Sequence, residues 1–122
     1  MLSSMTPTIV ENEKGELFMV LGSPGGSTII TTVAQVIMNI VDFSMPYKES
    51  IETKRFHHQW LPDLIQIESN TFQKETINIL KEYGYEVRIR SSIGEVNSIS
   101  IDTNGLIHAC SDSRRGGSSL AY

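Results

Sequence analysis

The stretch that decides the fold runs Glu16-Leu17-Phe18-Met19-Val20-Leu21-Gly22-Ser23-Pro24-Gly25-Gly26-Ser27-Thr28 and on from Ile29 to Asp42. Glu16 to Leu21 is a short apolar run of strand length, and Ser23-Pro24-Gly25-Gly26-Ser27 breaks it with residues that punctuate secondary structure. From Thr28 to Asp42 the period changes. The polar residues Thr28, Thr31, Thr32, Gln35, Asn39 and Asp42 fall three, one, three, four and three apart, which makes one stripe on a helix. β-branched residues would also suit a strand, but the stripe and the length favour a helix that is apolar, and buried, on most of its circumference.

Towards the N-terminus, Thr8 to Val10 pairs naturally with Glu16 to Leu21 through Glu11-Asn12-Glu13-Lys14-Gly15, a turn that supplies Asn and Gly where positive φ is needed. Towards the C-terminus, Pro46 precedes a short helix, Tyr47 to Thr53, and Arg55 to Pro62 shows no period and reads as an ordered loop. Leu64, Ile65 and Ile67 suggest a strand. Phe72, Thr76, Ile79, Leu80 and Tyr83 mark one face of a second long helix, with Asn70 or Thr71 as its cap and Gly84 at the left-handed position after its end. Val87 and Ile89 alternate with charges in a further strand. Asn97 to Ile101 and Leu106 to Cys110 then flank Asp102-Thr103-Asn104-Gly105 as a second hairpin, ahead of the Gly/Ser-rich end Gly116 to Tyr122. This order predicts an α+β fold, an antiparallel sheet with helices packed on it, in one domain spanning residues 1–122.

Bulk composition excludes more than it assigns. The chain has 122 residues, 39% of them hydrophobic and 20% charged, which is ordinary for a globular domain with one core. A net charge of −4 leaves no basic surplus for phosphates, so neither nucleic acid nor an anionic membrane is an expected partner. Ile29 to Val41 is interrupted by Thr31, Thr32, Gln35 and Asn39 and is rejected as a membrane span. The N-terminal residues MLSSMTPTIV lack the basic region and long apolar run of a secretory signal. Cys110 is the sole cysteine, which rules out an internal disulfide and thiolate metal clusters.

Chemistry concentrates at Ser23 to Ser27. Between a strand and a helix, the first amides of the helix lack internal partners and the dipole end is positive, so anions are favoured there. Gly25 and Gly26 carry no side chain, and their N–H groups can approach a ligand oxygen or a developing oxyanion closely. Strand-to-helix turns also use glycine for geometry alone, and on the residues by themselves that is the commoner reason. The Gly-Lys-Ser/Thr ending of a Walker loop is missing. Ser3 and Ser4, taken alone, read as solvated or turn-forming hydroxyls. His57 and His58 are adjacent and would diverge in an extended chain, which suits packing and hydrogen bonding better than a metal. His108 and Cys110 share a strand face, an arrangement more typical of pairing than of a nucleophile and its base.

Four blocks, taken in order and with their spacing, resemble the gamma-glutamyltranspeptidases: Leu2-Ser3-Ser4-Met5-Thr6-Pro7-Thr8-Ile9-Val10, Leu21-Gly22-Ser23-Pro24-Gly25-Gly26-Ser27, Arg55-Phe56-His57-His58-Gln59-Trp60-Leu61-Pro62 and Asp112-Ser113-Arg114. The resemblance implies part of the layered αββα fold of N-terminal nucleophile hydrolases, from a precursor that cleaves itself into a large and a small subunit. This chain would be the C-terminal portion of the small subunit. In that family a threonine hydroxyl, with its own α-amine as base, attacks gamma-glutamyl amides such as glutathione and passes the glutamyl group to water or an acceptor amine, without metal or organic cofactor.

Carried over residue by residue, the backbone amides of Gly25 and Gly26 would form the oxyanion hole, and Ser3 and Ser4 would bind the α-carboxylate of the glutamyl group. Asp112 and Arg114 match the family's Asp-Pro-Arg in a structural role, with Ser113 in place of the proline. The nucleophilic threonine belongs upstream of Met1, so the chain alone is expected to be inactive. Its implied partners are the large subunit and the upstream part of the small subunit, and orphaned apolar faces would favour self-association of the isolated chain. The resemblance further implies a periplasmic or extracellular parent. Competing expectations are a related acylase of the cephalosporin acylase kind, against which the paired serines argue, and a non-catalytic interaction module on the same scaffold.

Overall fold

The computed structural model describes residues 6–120. Strands β1 (Thr8–Glu11) and β2 (Leu17–Gly22) form the first hairpin, followed by helices α1 (Thr28–Val41) and α2 (Tyr47–Glu52). Strands β3 (Phe56–His57) and β4 (Leu64–Glu68), helix α3 (Lys74–Glu82), and strands β5 (Glu86–Arg90), β6 (Asn97–Ile101) and β7 (Ile107–Ser111) complete the order, and a 3-10 turn occupies Ser113–Arg115. No helix among the described residues is long and apolar enough to cross a membrane.

The expected antiparallel sheet is present, in the order β1-β2-β6-β7. Both of its hairpin turns are built the same way. Asn12 Oδ1 accepts the amides of Lys14 and Glu16, Asp102 Oδ1 accepts those of Asn104 and Leu106, and Gly15 and Gly105 take the positive φ each turn requires. Met19 pairs with Ser100, and Leu21 with Ser98, whose other neighbour is Cys110. These residues point to one face and meet Ile29, Val33 and Val36 of α1, forming the main core with Ile51 and Val96.

A second sheet, β3-β4-β5, was not foreseen. Phe56 and His57, read as loop, pair with Ile67 and Gln66, while β4 and β5 run parallel from Leu64↔Glu86 to Glu68↔Arg90. A parallel pair needs a crossover, and α3 supplies it. Gly84 ends α3 as expected: its amide reaches Lys81 O and that of Tyr85 reaches Leu80 O, with Gly84 at φ 92. The helix start differs from expectation. Gln73 is the N-cap and offers no side-chain bond, and the Thr71 hydroxyl is turned away from the helix start, donating to Glu68 O at 2.7 Å.

The polar stripe of α1 also behaves differently from its reading as the helix's polar edge. Thr28 and Thr32 are buried, Gln35 bonds Phe56 at both its amide and its carbonyl, and Asn39 donates to Ser50 O. The stripe faces β3 and α2, because β3 and the loop into it leave backbone groups there that need partners. Apolar Ile30, Met38 and Val41 are the exposed ones, at 59%, 46% and 56%.

Four buried charges lock the C-terminal turn to the second sheet. Arg55 donates to Asp112 Oδ2 at 2.7 Å and to Ile93 O at 2.9 Å, and Arg114 grips Glu68 with Nε at 2.6 Å and Nη2 at 2.7 Å while Nη1 reaches Asp112 Oδ1 at 3.0 Å. Two positive and two negative groups cancel. Burial alone would raise the pKa of both carboxyls, but bonds from Arg114 and the Ile93 and Arg55 amides hold Glu68 below its ordinary value, and the Arg114 and Val96 amides with Arg55 do the same for Asp112. Burial and the repulsion of Arg114 lower the Arg55 pKa, against the pull of Asp112.

Arg55→Met should therefore destabilise the chain by about 3–5 kcal/mol in chemical denaturation, since it leaves two buried carboxylates sharing the single guanidinium of Arg114. Because both carboxyl pKa values are depressed on folding, their contribution is present above the ordinary values of 4.5 and 3.8 and is lost as pH falls below them. Melts between pH 7 and pH 3 should show that acid loss in the wild type, and Asp112→Asn should flatten it.

Candidate functional site

At the junction of β2 and α1 the chain makes a tight turn with two successive residues at positive φ, a conformation glycine takes without strain. Gly25 has φ 143 and Gly26 φ 61. A Cβ on Gly25 would lie 2.5 Å from Thr28 Oγ1, whereas a Cβ on Gly26 would meet nothing within 4 Å. One glycine is therefore required by packing, whereas at the other an added side chain would meet open space. Helix α1 starts directly behind them: Thr28 N–H donates to Gly25 O at 3.3 Å, Ile29 N–H to Gly26 O at 3.2 Å, and the Thr28 hydroxyl also reaches Gly25 O at 3.1 Å. Ser27 makes no side-chain cap and the first turn holds no acidic residue, so nothing there opposes the positive dipole end.

The turn is held from outside by a segment that sequence reading passed over, Ile93 to Val96. Ser23 Oγ accepts the Glu95 amide at 2.9 Å, and Gly94 Cα lies 3.7 Å from where a Gly25 Cβ would be. Gly94 itself has φ 66, and a Cβ on it would stand 2.5 Å from Thr32 Oγ1 and 2.8 Å from Ser23 Oγ. The strap is pinned by the buried charges: Ile93 N–H donates to Glu68 Oε1 at 2.8 Å, Val96 N–H to Asp112 Oδ2 at 3.1 Å, and Arg55 holds Ile93 O. Asp112 and Arg114 thus act structurally, as expected, but at a place the sequence did not reveal. The one available hint was Gly94 itself, between Ile93 and Glu95.

On the other side stands His57, 1% exposed, with Nδ1 2.8 Å from Thr31 Oγ1 and Nε2 2.9 Å from Gln59 Oε1. His58 points elsewhere and pairs with Asp63 at 3.0 Å, so the two histidines do diverge. Cys110 is buried, and burial pushes its thiol pKa up, which suits core packing rather than nucleophilic attack. Nearby His108 pairs with Asp102. Among the described residues no cluster of three or more His, Cys, Asp or Glu side chains could hold a metal. Ser3 and Ser4 lie outside the described residues. A groove of about 790 Å³ lined by Asn12, Lys14, Phe18, Ile101 and Asp102 sits at the opposite end of β2 and shares no residue with this site.

Comparison with known proteins gives this geometry its context. All of residues 1–122 match the family model described as gamma-glutamyltranspeptidase. The chain belongs to the gamma-glutamyltranspeptidase family. It is 42% identical over 113 residues to the glutathione hydrolase proenzyme of Escherichia coli K12, a match that takes in 93% of this chain and 19% of that relative. Helicobacter pylori gamma-glutamyltranspeptidase superposes with a TM-score of 0.87 at 42% identity, over 93% of this chain and 62% of the solved one. The chain therefore spans about a fifth of the curated relative's length. A cephalosporin acylase from Bacillus halodurans shares the fold at 20% identity and a TM-score of 0.72, a far more distant likeness. The family's N-terminal nucleophile hydrolase fold accounts for the α+β layering, and the match favours the gamma-glutamyltranspeptidase reading over the acylase one.

Gly94→Ala should lower stability by about 1–3 kcal/mol and displace the strap, because positive φ and the contact with buried Thr32 leave no room to relax. Calorimetry gives the first quantity. Amide exchange at Glu95, whose N–H is held by Ser23, should quicken along with it.

Proposed function

We propose that this chain supplies the oxyanion-stabilising loop of an enzyme that cleaves gamma-glutamyl amides such as glutathione and transfers the glutamyl group to water or an amine. The observation that carries the proposal is the Gly25-Gly26 turn at the head of α1, where two residues without side chains meet the positive end of the helix dipole and the turn is braced by the Ile93 to Val96 strap. In this reading a threonine of the parent protein, outside these 122 residues, attacks the gamma-carbonyl. The C=O π pair moves to oxygen, the Gly25 and Gly26 amides meet the resulting oxyanion, and the C–N bond breaks as the leaving amine takes the nucleophile's proton. Water or an acceptor amine then repeats the sequence on the acyl ester. Ser3 and Ser4 hold the glutamyl α-carboxylate.

Two apolar surfaces support a role as one piece of a larger assembly. On the outer face of the four-stranded sheet, Ile9, Val20, Ile99 and Ala109 are register partners that line up one per strand, and Ile9, Val20 and Ile99 are 68%, 37% and 49% exposed. On α1, Ile30, Met38 and Val41 form the second surface. Patches of this kind call for a cover. The rest of the small subunit and the large subunit are the proposed partners.

The 122-residue chain alone should release no chromophore from a gamma-glutamyl anilide, whereas in the full-length parent Gly26→Pro should lower kcat by on the order of 10²–10³. Ser3→Ala with Ser4→Ala should act mainly on KM, because a carboxylate clamp holds ground and transition states alike. Turnover by the isolated chain, or equal effects of both variants on both parameters, would count against the assignment.

The isolated chain should also self-associate through its uncovered faces. Light scattering coupled to size exclusion over a dilution series should show mass rising with concentration, and Ile99→Lys should reduce it. A monomeric mass throughout, with no binding of a hydrophobic dye, would contradict this.

A further inference from the structure

His57 is buried, polar and unused by the chemistry above, yet both of its ring nitrogens are engaged. Its tautomer follows from its neighbours. Gln59 Nε2 donates to Leu61 O at 2.9 Å, which turns Gln59 Oε1 towards the ring. An amide oxygen can only accept, so His57 Nε2 carries the hydrogen. Nδ1 of the neutral ring is then an acceptor, and the Thr31 hydroxyl, 2.8 Å away, is its donor.

Thr31 has a second acceptor within reach, the carbonyl of Thr28 at 3.1 Å in the preceding turn of α1. One hydroxyl proton cannot serve both. A mid-helix threonine that bonds back to its own helix bends it. Here the bend would fall on Thr28, whose hydroxyl and amide both hold Gly25 O. Drawing the Thr31 proton towards His57 Nδ1, the shorter of the two contacts, would relieve that pull on Thr28 and so on Gly25 beside the strap. The far side of His57 is equally constrained: Leu61 N–H closes on Gln59 O across Trp60, which has φ 71 and is 76% exposed, a γ-turn with a strained positive φ at its centre. Gln59 is thereby clamped and presents its oxygen to the ring.

We propose that His57 is a positioning residue for the Gly25-Gly26 loop, acting as the acceptor that takes the Thr31 hydroxyl from the Thr28 carbonyl. The proposal rests on the oxyanion-hole reading above. It makes the identity of one ring nitrogen matter more than the volume of the ring, which separates it from plain packing.

The test uses the full-length parent enzyme and three substitutions at this position. In His57→Asn the amide oxygen can replace Nδ1, in His57→Gln the side chain can reach Gln59 but not Thr31, and His57→Phe keeps only bulk. Steady-state kinetics with a gamma-glutamyl anilide should give kcat within about threefold of wild type for Asn, and a loss on the order of 10–100-fold for Gln and Phe, with KM little changed. Thr31→Val, which removes the hydroxyl and with it the back-bond that His57 prevents, should keep kcat within about threefold of wild type, and combined with His57→Gln it should restore most of that variant's loss. Melting temperatures identify any variant whose loss is unfolding, and the rescue of His57→Gln by Thr31→Val carries the test in that case. If kcat follows side-chain volume, with Phe retained and Asn lost, or if Thr31→Val leaves the His57→Gln loss in place, His57 only packs and the proposal is overturned. A wild-type parent without gamma-glutamyl turnover would instead overturn the functional reading beneath it.

Discussion

Arg55, Glu68, Asp112 and Arg114 bring two guanidinium groups and two carboxylates into the interior, and most of the tertiary arrangement hangs on how they satisfy one another. The exposures are 2%, 2% and 0% for Arg55, Glu68 and Asp112, so none of these three can fall back on water. Each carboxylate ties together stretches far apart in the chain. Glu68 closes β4 while accepting amides from Arg55 and Ile93, and Asp112 follows β7 while accepting amides from Val96 and Arg114. A charge pair of this kind gives little net stability relative to an apolar core of the same size, but it admits few alternative geometries. Its consequence here is placement: the second sheet, the C-terminal turn and the strap over the glycine loop are fixed relative to one another by the same four groups.

That placement explains why the glycine turn can be open yet ordered. Backbone amides stabilise developing charge only if they do not reorganise when it appears. Gly26 carries no side chain to block approach, and the turn keeps its shape because it is braced behind by Thr28, above by Gly94 and Glu95, and through Thr31 by His57. Support comes from three separate parts of the chain. The oxyanion role itself remains this chain's proposed contribution to a larger enzyme, and the geometry explains how so small a portion could carry it.

The apolar faces complement this picture. Core packing uses the inner face of the antiparallel sheet and the side of α1 that carries Ile29, Val33 and Val36, while the outer sheet face and the Ile30, Met38 and Val41 side of α1 stay uncovered. The uncovered surfaces agree with a match that takes in a fifth of a curated relative's length.

Much of this was legible in the sequence, and the part that was not has a physical reason. Local features came through: both hairpins, α1 from Thr28, the Gly84 terminus of α3 and the break in the chain at Gly25-Gly26 all follow from backbone preferences within a few residues, and the four blocks from Ser3-Ser4 to Asp112-Arg114 carried the family. What tertiary structure decided lies between residues far apart in the chain. Whether β4 and β5 run parallel depends on how α3 crosses over, and whether the threonine stripe of α1 meets water or β3 depends on which backbone groups arrive opposite it. His57 and Gly94 drew little or no notice because a histidine's partner and a glycine's neighbour are set by contacts 26 residues away at Thr31, or from Gly94 to Thr32 and Ser23 across the fold. Sequence records what each residue can do locally; long-range packing and the pairing of buried charge select which of those options is used.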